Sequence, residues 1–177
     1  MFGLFKKKAI GPTIINKVWI SKQQKWNSCL QLLKEKPATL FVAWFDETYN
    51  ELNQFLERHH YTSKVIMYRQ VNMGDAMNYV FAEHYPLAQK EQELFAKLNI
   101  AEATILSGLD EPFFQLFGSD KIVELLSKLG MNEDEAIEHP MITASIINAQ
   151  KKLAKQVLID YTARSQKDWM EKNVATN

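Results

Sequence analysis

The sequence predicts an α/β fold in which a small, mostly parallel sheet with flanking helices is followed by a helical C-terminal part. The first observation is a continuous apolar run at residues 38–45, which is typical of a strand buried on both faces in a parallel sheet. The second is an alternation of strand-like and helix-like patterns that continues to Leu109. The third is that only helical patterns follow, including one long amphipathic stretch from Pro140.

The elements before and after the apolar run alternate in type. A short extended stretch is predicted at residues 17–20 and a helix at 22–36. The inward face of that helix carries apolar residues at helical spacing: Trp26, Leu30 and Leu33. Thr48 and Glu51 form a capping-box signature, because a hydroxyl and a carboxylate three residues apart satisfy the free amides at a helix start. A second helix is therefore predicted after the run.

The same alternation continues through the middle of the chain. Residues 63–71 predict a strand, and residues 79–85 predict a further strand after a turn. Pro86 opens the next predicted helix, because proline is well tolerated in the first helical turn. Residues 103–109 are again strand-like.

The C-terminal part is predicted to be helical throughout. Asp120 is a plausible N-cap and Gly130 a C-terminal stop for one helix. The long helix from Pro140 is predicted to continue towards Trp169, and it presents an apolar stripe on one face: Ile142, Ile146, Ala149, Leu153 and Val157. Three arrangements remain open for this stripe, namely folding back on the sheet, pairing with a second copy, and receiving a partner protein.

Composition predicts a soluble, cytoplasmic protein with one domain. Lys and Arg number 21 and Asp and Glu number 21, so the chain lacks the excess positive charge on which nucleic-acid binding rests. The 177 residues fit one domain at residues 14–177, with a sheet part at about 14–110 and a helical part at about 111–172. A flexible basic tail is expected at residues 1–13, where membrane contact is at most peripheral.

The sequence offers no motif for a metal or a cofactor. None of the six glycines falls in a phosphate-binding order. The single Cys29 excludes an internal disulfide and a thiolate metal site, and a catalytic role for it is disfavoured within a predicted helix. His84 and His139 each follow a glutamate, but sequence neighbours point in different directions and do not chelate a metal together.

Two acidic pairs occupy the positions where α/β sheets place active sites. Residues 46–47 and 110–111 are an Asp-Glu pair each, directly after predicted strands, and the carboxyl ends of strands are where ligands bind. Their ordinary role is to cap the helices that follow. An enzyme acting on a small molecule, with these carboxylates and His84 or His139, stays open as one alternative.

The segment at residues 106–152 indicates the function more specifically than the single residues and pairs above. Residues 106–121 read LSGLDEPFFQLFGSDK, residues 125–131 read LLSKLGM, and EAIEHPMIT and SIINAQKK follow at 135–143 and 145–152. This order of motifs resembles the preprotein translocase ATPase SecA, where its second motor domain, a RecA-like domain, passes into the long helix of the helical scaffold. The residues that match the family's motifs, here called the motif residues, are Asp110, Glu111, Phe117, Gly118, Ser119, Asp120, Glu138, His139, Asn148 and Gln150.

The resemblance implies a truncated RecA-like fold of the P-loop NTPase type, but without the catalytic motifs. In the family, ATP binds between two RecA-like domains, and 177 residues are too few for both. The second motor domain normally supplies an arginine-rich finger motif, whereas residues 72–102 contain no arginine. Arginine fingers stabilise charge on the transferred phosphoryl group. No catalytic, cofactor-binding or metal-binding residue can therefore be carried over, and no cofactor is expected.

The leading hypothesis is a non-catalytic, SecA-like protein-interaction or regulatory module linked to protein export. The expected partner is SecA, another export component or a second copy of the chain, and no nucleic acid. The alternatives are a domain that binds nucleotide without hydrolysis and the small-molecule enzyme described above.

Overall fold

Among the described residues the sheet has five strands, and every pair of neighbouring strands is parallel. The structure, a computed structural model, describes residues 11–72, 78–119, 122–124 and 132–174. The strands are β1 Thr13–Trp19, β2 Thr39–Ala43, β3 Val65–Met67, β4 Asn78–Phe81 and β5 Glu102–Gly108. Their order across the sheet is β1-β5-β4-β2-β3. The predicted α/β fold with a small parallel sheet is confirmed.

Helices cover both faces of the sheet. In the described residues they are α1 Lys22–Glu35, α2 Asp46–Arg58, α3 Ala88–Lys97, α4 Pro112–Gln115, α5 Pro140–Gln156 and α6 Gln166–Asn173, with a short 3-10 turn at Tyr68–Gln70 after β3. The predicted helices at 22–36 and from Pro140 are confirmed. The boundaries of the basic tail and of the sheet and helical parts stay predictions.

The strands divide their side chains between two apolar cores. Phe41 and Ala43 of β2 face the core that contains residues of α1 and α2, while Val42 faces the core that contains residues of α3, α4, α5 and α6. Ile105 and Leu106 of β5 alternate in the same way. Successive side chains of a strand point to opposite faces, so a strand covered on both sides is a nearly continuous apolar run. This is the physical origin of the apolar run at residues 38–45.

Several local predictions are wrong in detail, among them the strand predicted at 79–85, which ends at Phe81. The capping box does not form, because α2 begins at Asp46 and the Thr48 hydroxyl donates to Glu83 instead. The helix after Pro86 begins two residues later, at Ala88. The strand predicted at 63–71 is confined to β3, since the chain turns into the 3-10 helix at Tyr68.

The long C-terminal helix does not continue towards Trp169. It ends at Gln156, and Val157 is extended. A separate helix, α6, starts after Ser165, whose hydroxyl accepts a hydrogen bond from the amide of Asp168. Between the two helices, Asp160 accepts hydrogen bonds from Tyr85. The Ser-x-x-Asp spacing at 165–168 is a helix-start signature that competes with continuation of the preceding helix.

Candidate functional site

The candidate site lies at the carboxyl ends of β2 and β4, neighbouring strands within the sheet. The chain continues from β2 to β3 on one side and from β4 to β5 on the other. Ligands of open α/β sheets bind in the crevice at such a switch point. The residues that follow the two strands, 44–48 and 82–85, form what we call the switch-point edge.

A buried lysine of α1 reaches this edge. The side chain of Lys25 is fully buried, and its ammonium forms an ion pair with Glu111 at the start of α4. The ammonium also donates to the carbonyl oxygen of Ala82 at 2.6 Å and lies 4.3 Å from the ring centroid of Trp26. An unpaired charge would be strongly destabilising in this environment, so these contacts are what allow Lys25 to be buried.

Glu83 occupies the centre of the edge with hydrogen-bond donors on both carboxylate oxygens. The backbone amides of Trp44 and Phe45 donate to Oε1 at 3.1 and 3.2 Å. The Thr48 hydroxyl donates to Oε2 at 2.7 Å, and Gln166 Nε2 donates to the same oxygen at 3.3 Å. Glu83 thereby fills the space between the carboxyl end of β2, the start of α2 and the start of α6.

Burial perturbs both carboxyl groups of this edge. It raises the pKa of Glu83 from 4.5 to about 7, although the charge of Lys25 and the hydrogen bonds act in the opposite direction. Burial also raises the pKa of Glu111, again opposed by Lys25. Two carboxyl groups share one ammonium, so the buried cluster carries an excess negative charge when both are ionised. Lys25, Glu83 and Glu111 are named the buried ion cluster below.

The nearest thiol is not activated by this cluster. Cys29 lies one helical turn after Lys25 and is fully buried. Burial raises the pKa of its thiol to about 12, which outweighs the opposing effect of the Lys25 charge. A thiol is nucleophilic as the thiolate, so Cys29 has the character of a core residue.

A second polar cluster surrounds His84. Its ring nitrogens lie 2.9 Å from Glu91 Oε1 of α3 and 2.9 Å from Asn16 Oδ1 of β1. The Tyr85 amide donates to the same Glu91 oxygen at 2.8 Å, and Gln150 Nε2 of α5 donates to the other oxygen at 3.0 Å. Buried hydrogen bonds therefore join the segment after β4 to β1, α3 and α5. Such bonds are strong where a carboxylate accepts them.

The C-terminal segment closes the switch-point edge from outside. Gln166 accepts from the amide of Phe113 and donates to Glu83, and the Arg164 carbonyl accepts from the amide of Glu47. Trp169 of α6 is fully buried, and its indole donates to Asp160 at 2.8 Å. The crevice is thus filled by side chains of the chain itself.

The motif residues do not converge on one site. Three of them are buried: Glu111 pairs with Lys25, the Ser119 hydroxyl donates to the carbonyl of Leu109 at 2.5 Å, and Gln150 belongs to the His84 cluster. Asp110 is exposed and accepts from the amide of Lys22 at 2.7 Å. These four fasten the segments after β5 to the sheet and to α1.

The remaining motif residues that the structure describes are exposed. Glu138 pairs with Lys17 at 3.1 Å, and His139 is the N-cap of α5, where its Nδ1 accepts from the amide of Met141. The other three exposed positions are Phe117, Gly118 and Asn148. Asp120, also predicted as an N-cap, lies outside the described residues, as does Gly130.

The apolar stripe of α5 faces the sheet. Ile146, Ala149 and Leu153 are buried in the core, and Ile142 and Val157 pack partly buried against it. Of the three arrangements left open by the sequence, the structure has the one in which the stripe folds back. The stripe is therefore a packing surface of this chain and leaves the opposite face of α5 to solvent.

The acidic pairs after β2 and β5 take different roles. Asp46 and Glu47 form the exposed first turn of α2, where carboxylates suit the positive end of the helix dipole. Of the second pair only Glu111 is buried at the edge. Within the part of the chain that the structure describes, no three His, Cys, Asp or Glu residues are grouped to hold a metal ion.

The sequence reasoning missed the residues that organise the edge, namely Lys25, Glu83 and Gln166. A signal existed for Lys25, because it falls one turn before Cys29 on the same face as Leu33, where an apolar residue is expected. Gln166 carries no such signal, since its role depends on where α6 packs.

Comparison with known proteins finds a relationship over part of the chain. The SecA protein translocase subunit of Acidithiobacillus ferrooxidans is 58% identical over 45 residues, 25% of this chain and 5% of that protein. Those of Clostridium botulinum and Chlorobium phaeovibrioides are 46% and 42% identical over 52 and 55 residues. A region of this chain is related to SecA.

The matched region is a small part of SecA. The matches with the Clostridium and Chlorobium proteins cover 29% and 31% of this chain, but only 6% and 5% of those proteins. No protein-family model matches the chain. Among the described helices, none is long and apolar enough to cross a membrane.

Proposed function

We propose that this chain is a non-catalytic protein-interaction module of the protein-export system, with SecA or another cytoplasmic export component as its partner. The similarity to SecA over 45 to 55 residues supports the link to export. The proposal also assigns the region the RecA-like fold of the second SecA motor domain, here without its ATPase motifs.

The observation that carries the interaction role is the distribution of exposed apolar side chains. Among the described residues, the large hydrophobic side chains that are exposed all lie after Gln115: Leu116, Phe117, Ile122, Met141, Ile147, Leu158, Ile159 and Tyr161. Leu158 is 97% exposed and Met141 is 72% exposed. We place the binding surface at Leu158 and Ile159, which are adjacent in the chain and both exposed, because contiguous exposed apolar side chains are typical of surfaces that bind other proteins.

The filled switch-point edge supports the non-catalytic part of the proposal. Two charged groups of this edge, Lys25 and Glu83, are buried. Each already forms hydrogen bonds within the chain, Lys25 with the Ala82 carbonyl and Glu83 with the Thr48 hydroxyl. A phosphate group entering this edge would meet two carboxyl groups, Glu83 and Glu111, and would have to displace Gln166. Both effects oppose binding of an anion.

The test is direct binding of the chain to purified SecA from the same cell, measured by biolayer interferometry. We expect saturable binding that is weakened by Leu158→Ser combined with Ile159→Ser. The matched control combines Leu158→Met with Ile159→Met, which keeps the apolar surface and is expected to keep the affinity. Equal binding of both double variants would contradict a role for this surface, and failure of the parent chain to bind SecA would remove SecA as the partner.

Two further measurements separate the alternatives. ATP or ADP at one hundred times its dissociation constant would stabilise the fold by about 2.7 kcal/mol, so a clear thermal shift would overturn the pure interaction proposal in favour of nucleotide binding without hydrolysis. Light scattering tests the other partner, a second copy. A stable dimer that the Leu158 and Ile159 double serine variant dissociates would assign the surface to self-association.

A further inference from the structure

A cavity of about 380 Å³ lies between β1, α3 and α5, away from the switch-point edge. Its apolar wall is formed by side chains of three elements: Ile14, Ala88, Phe95, Ile146 and Ile147. Its size falls within the range of ligand pockets, about 300 to 1,000 Å³. We call it the α3–α5 cavity.

One wall of the cavity is polar and held rigidly. Asn16 Nδ2 donates to the Thr143 hydroxyl at 3.1 Å, while Asn16 Oδ1 lies 2.9 Å from a ring nitrogen of His84. The Thr143 oxygen accepts the bond from Asn16, so its own proton remains available to a ligand. Pockets with an apolar body and a few fixed polar groups are the usual form of a small-molecule site.

The lysine at the cavity can bind an anion. Lys151 of α5 lines the cavity, is exposed, and takes part in none of the ion pairs recorded among the described residues. The cavity's carboxylate, Glu91, is buried and accepts from the Tyr85 amide and Gln150, with a His84 nitrogen also within hydrogen-bond distance. An ammonium that forms no ion pair with the described residues, beside an apolar space, matches a molecule with an apolar body and one anionic end.

We propose that the α3–α5 cavity binds a small amphipathic carboxylate. The apolar tail of the ligand packs against Phe95 and Ile146, and its carboxylate accepts hydrogen bonds from Lys151 and Thr143. Leu158 and Ile159, the residues exchanged in the interaction test, do not line this cavity, although Ile147 of its wall is also one of the exposed apolar side chains.

The first experiment titrates the full chain with sodium octanoate and follows the isoleucine methyl groups by NMR. We expect saturable shifts of Ile14, Ile146 and Ile147, which line the cavity, and no shifts of Ile66, which does not. Octan-1-ol serves as the uncharged ligand and is expected to bind about tenfold more weakly, since it forms no charge-assisted hydrogen bond. Absence of saturable shifts, or shifts that include Ile66 equally, would overturn the proposal.

The second experiment uses a pair of neighbouring lysines. Lys151→Gln is expected to weaken octanoate binding about tenfold and to leave octan-1-ol binding unchanged. The matched control is Lys152→Gln, the same substitution at an exposed residue of α5 that does not line the cavity, and it is expected to change neither. Equal losses in the two variants would mean that octanoate responds only to net charge and would refute the site.

A third variant tests the location without changing charge. Ala88→Phe places a ring at the cavity wall and is expected to abolish the methyl shifts caused by both ligands. Its melting temperature is compared with that of the parent chain to confirm folding. If Ala88→Phe folds and octanoate still binds with the parent affinity, the ligand is bound elsewhere and the proposal fails.

Discussion

The sheet part and the helical part of this chain differ in the energetically unfavourable side chains that they contain. The sheet part encloses charged groups, Lys25 and Glu83, inside the fold. Among the described residues, the helical part instead exposes large apolar side chains, of which Leu158 is the most exposed. Burial of charge and exposure of apolar surface are both unfavourable, so each requires a reason. The buried charges join segments of the chain, whereas the exposed side chains suit contact with a partner.

The largest effect is expected where the two parts are joined. Lys25 of the sheet part pairs with Glu111 at the start of α4, so Lys25→Met leaves Glu111 buried without a counter-charge. We expect the free energy of unfolding to fall by about 3–5 kcal/mol, measured by urea denaturation. The control is Lys22→Met, which removes a half-exposed pair with Glu51 and is expected to cost at most about 1 kcal/mol. Similar losses in both variants would refute the structural role of the buried ion cluster.

The helical part offers its own matched pair of leucines. Leu153 is 1% exposed on the inner face of α5, and Leu158 is 97% exposed after the end of that helix. Leu153→Ala is expected to lower the free energy of unfolding by about 2–5 kcal/mol because it opens a cavity in the core. Leu158→Ala is expected to change it by less than about 0.5 kcal/mol. A large loss from Leu158→Ala would mean that this side chain packs against its own chain and would weaken the interaction proposal.

The sheet was more predictable than the contacts at its edge, for a physical reason. The run at 38–45 predicts β2 because burial on both faces favours apolar residues on both sides of a strand, and only Thr39 of the run is polar. The stripe of α5 predicts a helix with one inward face, although the spacing does not say which surface it meets. These signals are local.

The edge depends on contacts between distant segments. Lys25 and Glu111 are 86 residues apart in the chain, and Glu83 and Gln166 are 83 apart. Their pairing follows from the strand order and from the position of α6 on the sheet. The spacing of apolar residues in the sequence predicts neither of these. The motif residues were recognised by resemblance, but the sequence alone did not indicate that Glu111, Ser119 and Gln150 would be buried and hold elements together.

The pH dependence of stability examines Glu83, which receives donors from both parts. Its pKa is about 7 in the folded chain and 4.5 ordinarily, so the folded state binds the proton more tightly between those values. The free energy of unfolding therefore falls as the pH rises from about 4.5 to 7, by about 3 kcal/mol from this group. Glu83→Gln removes the titrating carboxyl group. The free energy of unfolding of this variant is therefore expected not to show the decrease that Glu83 causes between these pH values.

The measurement is urea denaturation of both proteins at several pH values across that window. Titrating groups far from Glu83 are shared by parent and variant and cancel in the difference between them, whereas Glu111 interacts with Glu83 and contributes to that difference. If the free energies of unfolding of Glu83→Gln and the parent differ by the same amount at every pH, the raised pKa of Glu83 is contradicted. If the stability advantage of Glu83→Gln over the parent grows with pH, the negative charge of Glu83 at the switch-point edge is the cause.

The smallest effect is expected at Gly108, the last residue of β5, close to the end of the sheet part. A methyl group there would lie 2.7 Å from the backbone nitrogen of Lys22 and 2.6 Å from Asp110 Oδ1, closer than carbon atoms approach such groups. Asp110 accepts from that same Lys22 amide, so Gly108→Ala pushes apart the start of α1 and the turn into α4. We expect a loss of about 1–3 kcal/mol in the free energy of unfolding. Gly11→Ala is the control, since nothing lies within 4 Å of its added methyl group. If Gly108→Ala is as mild as Gly11→Ala, the junction between the two parts is looser than the hydrogen bonds at Lys22 and Asp110 indicate, and the helical part can move relative to the sheet.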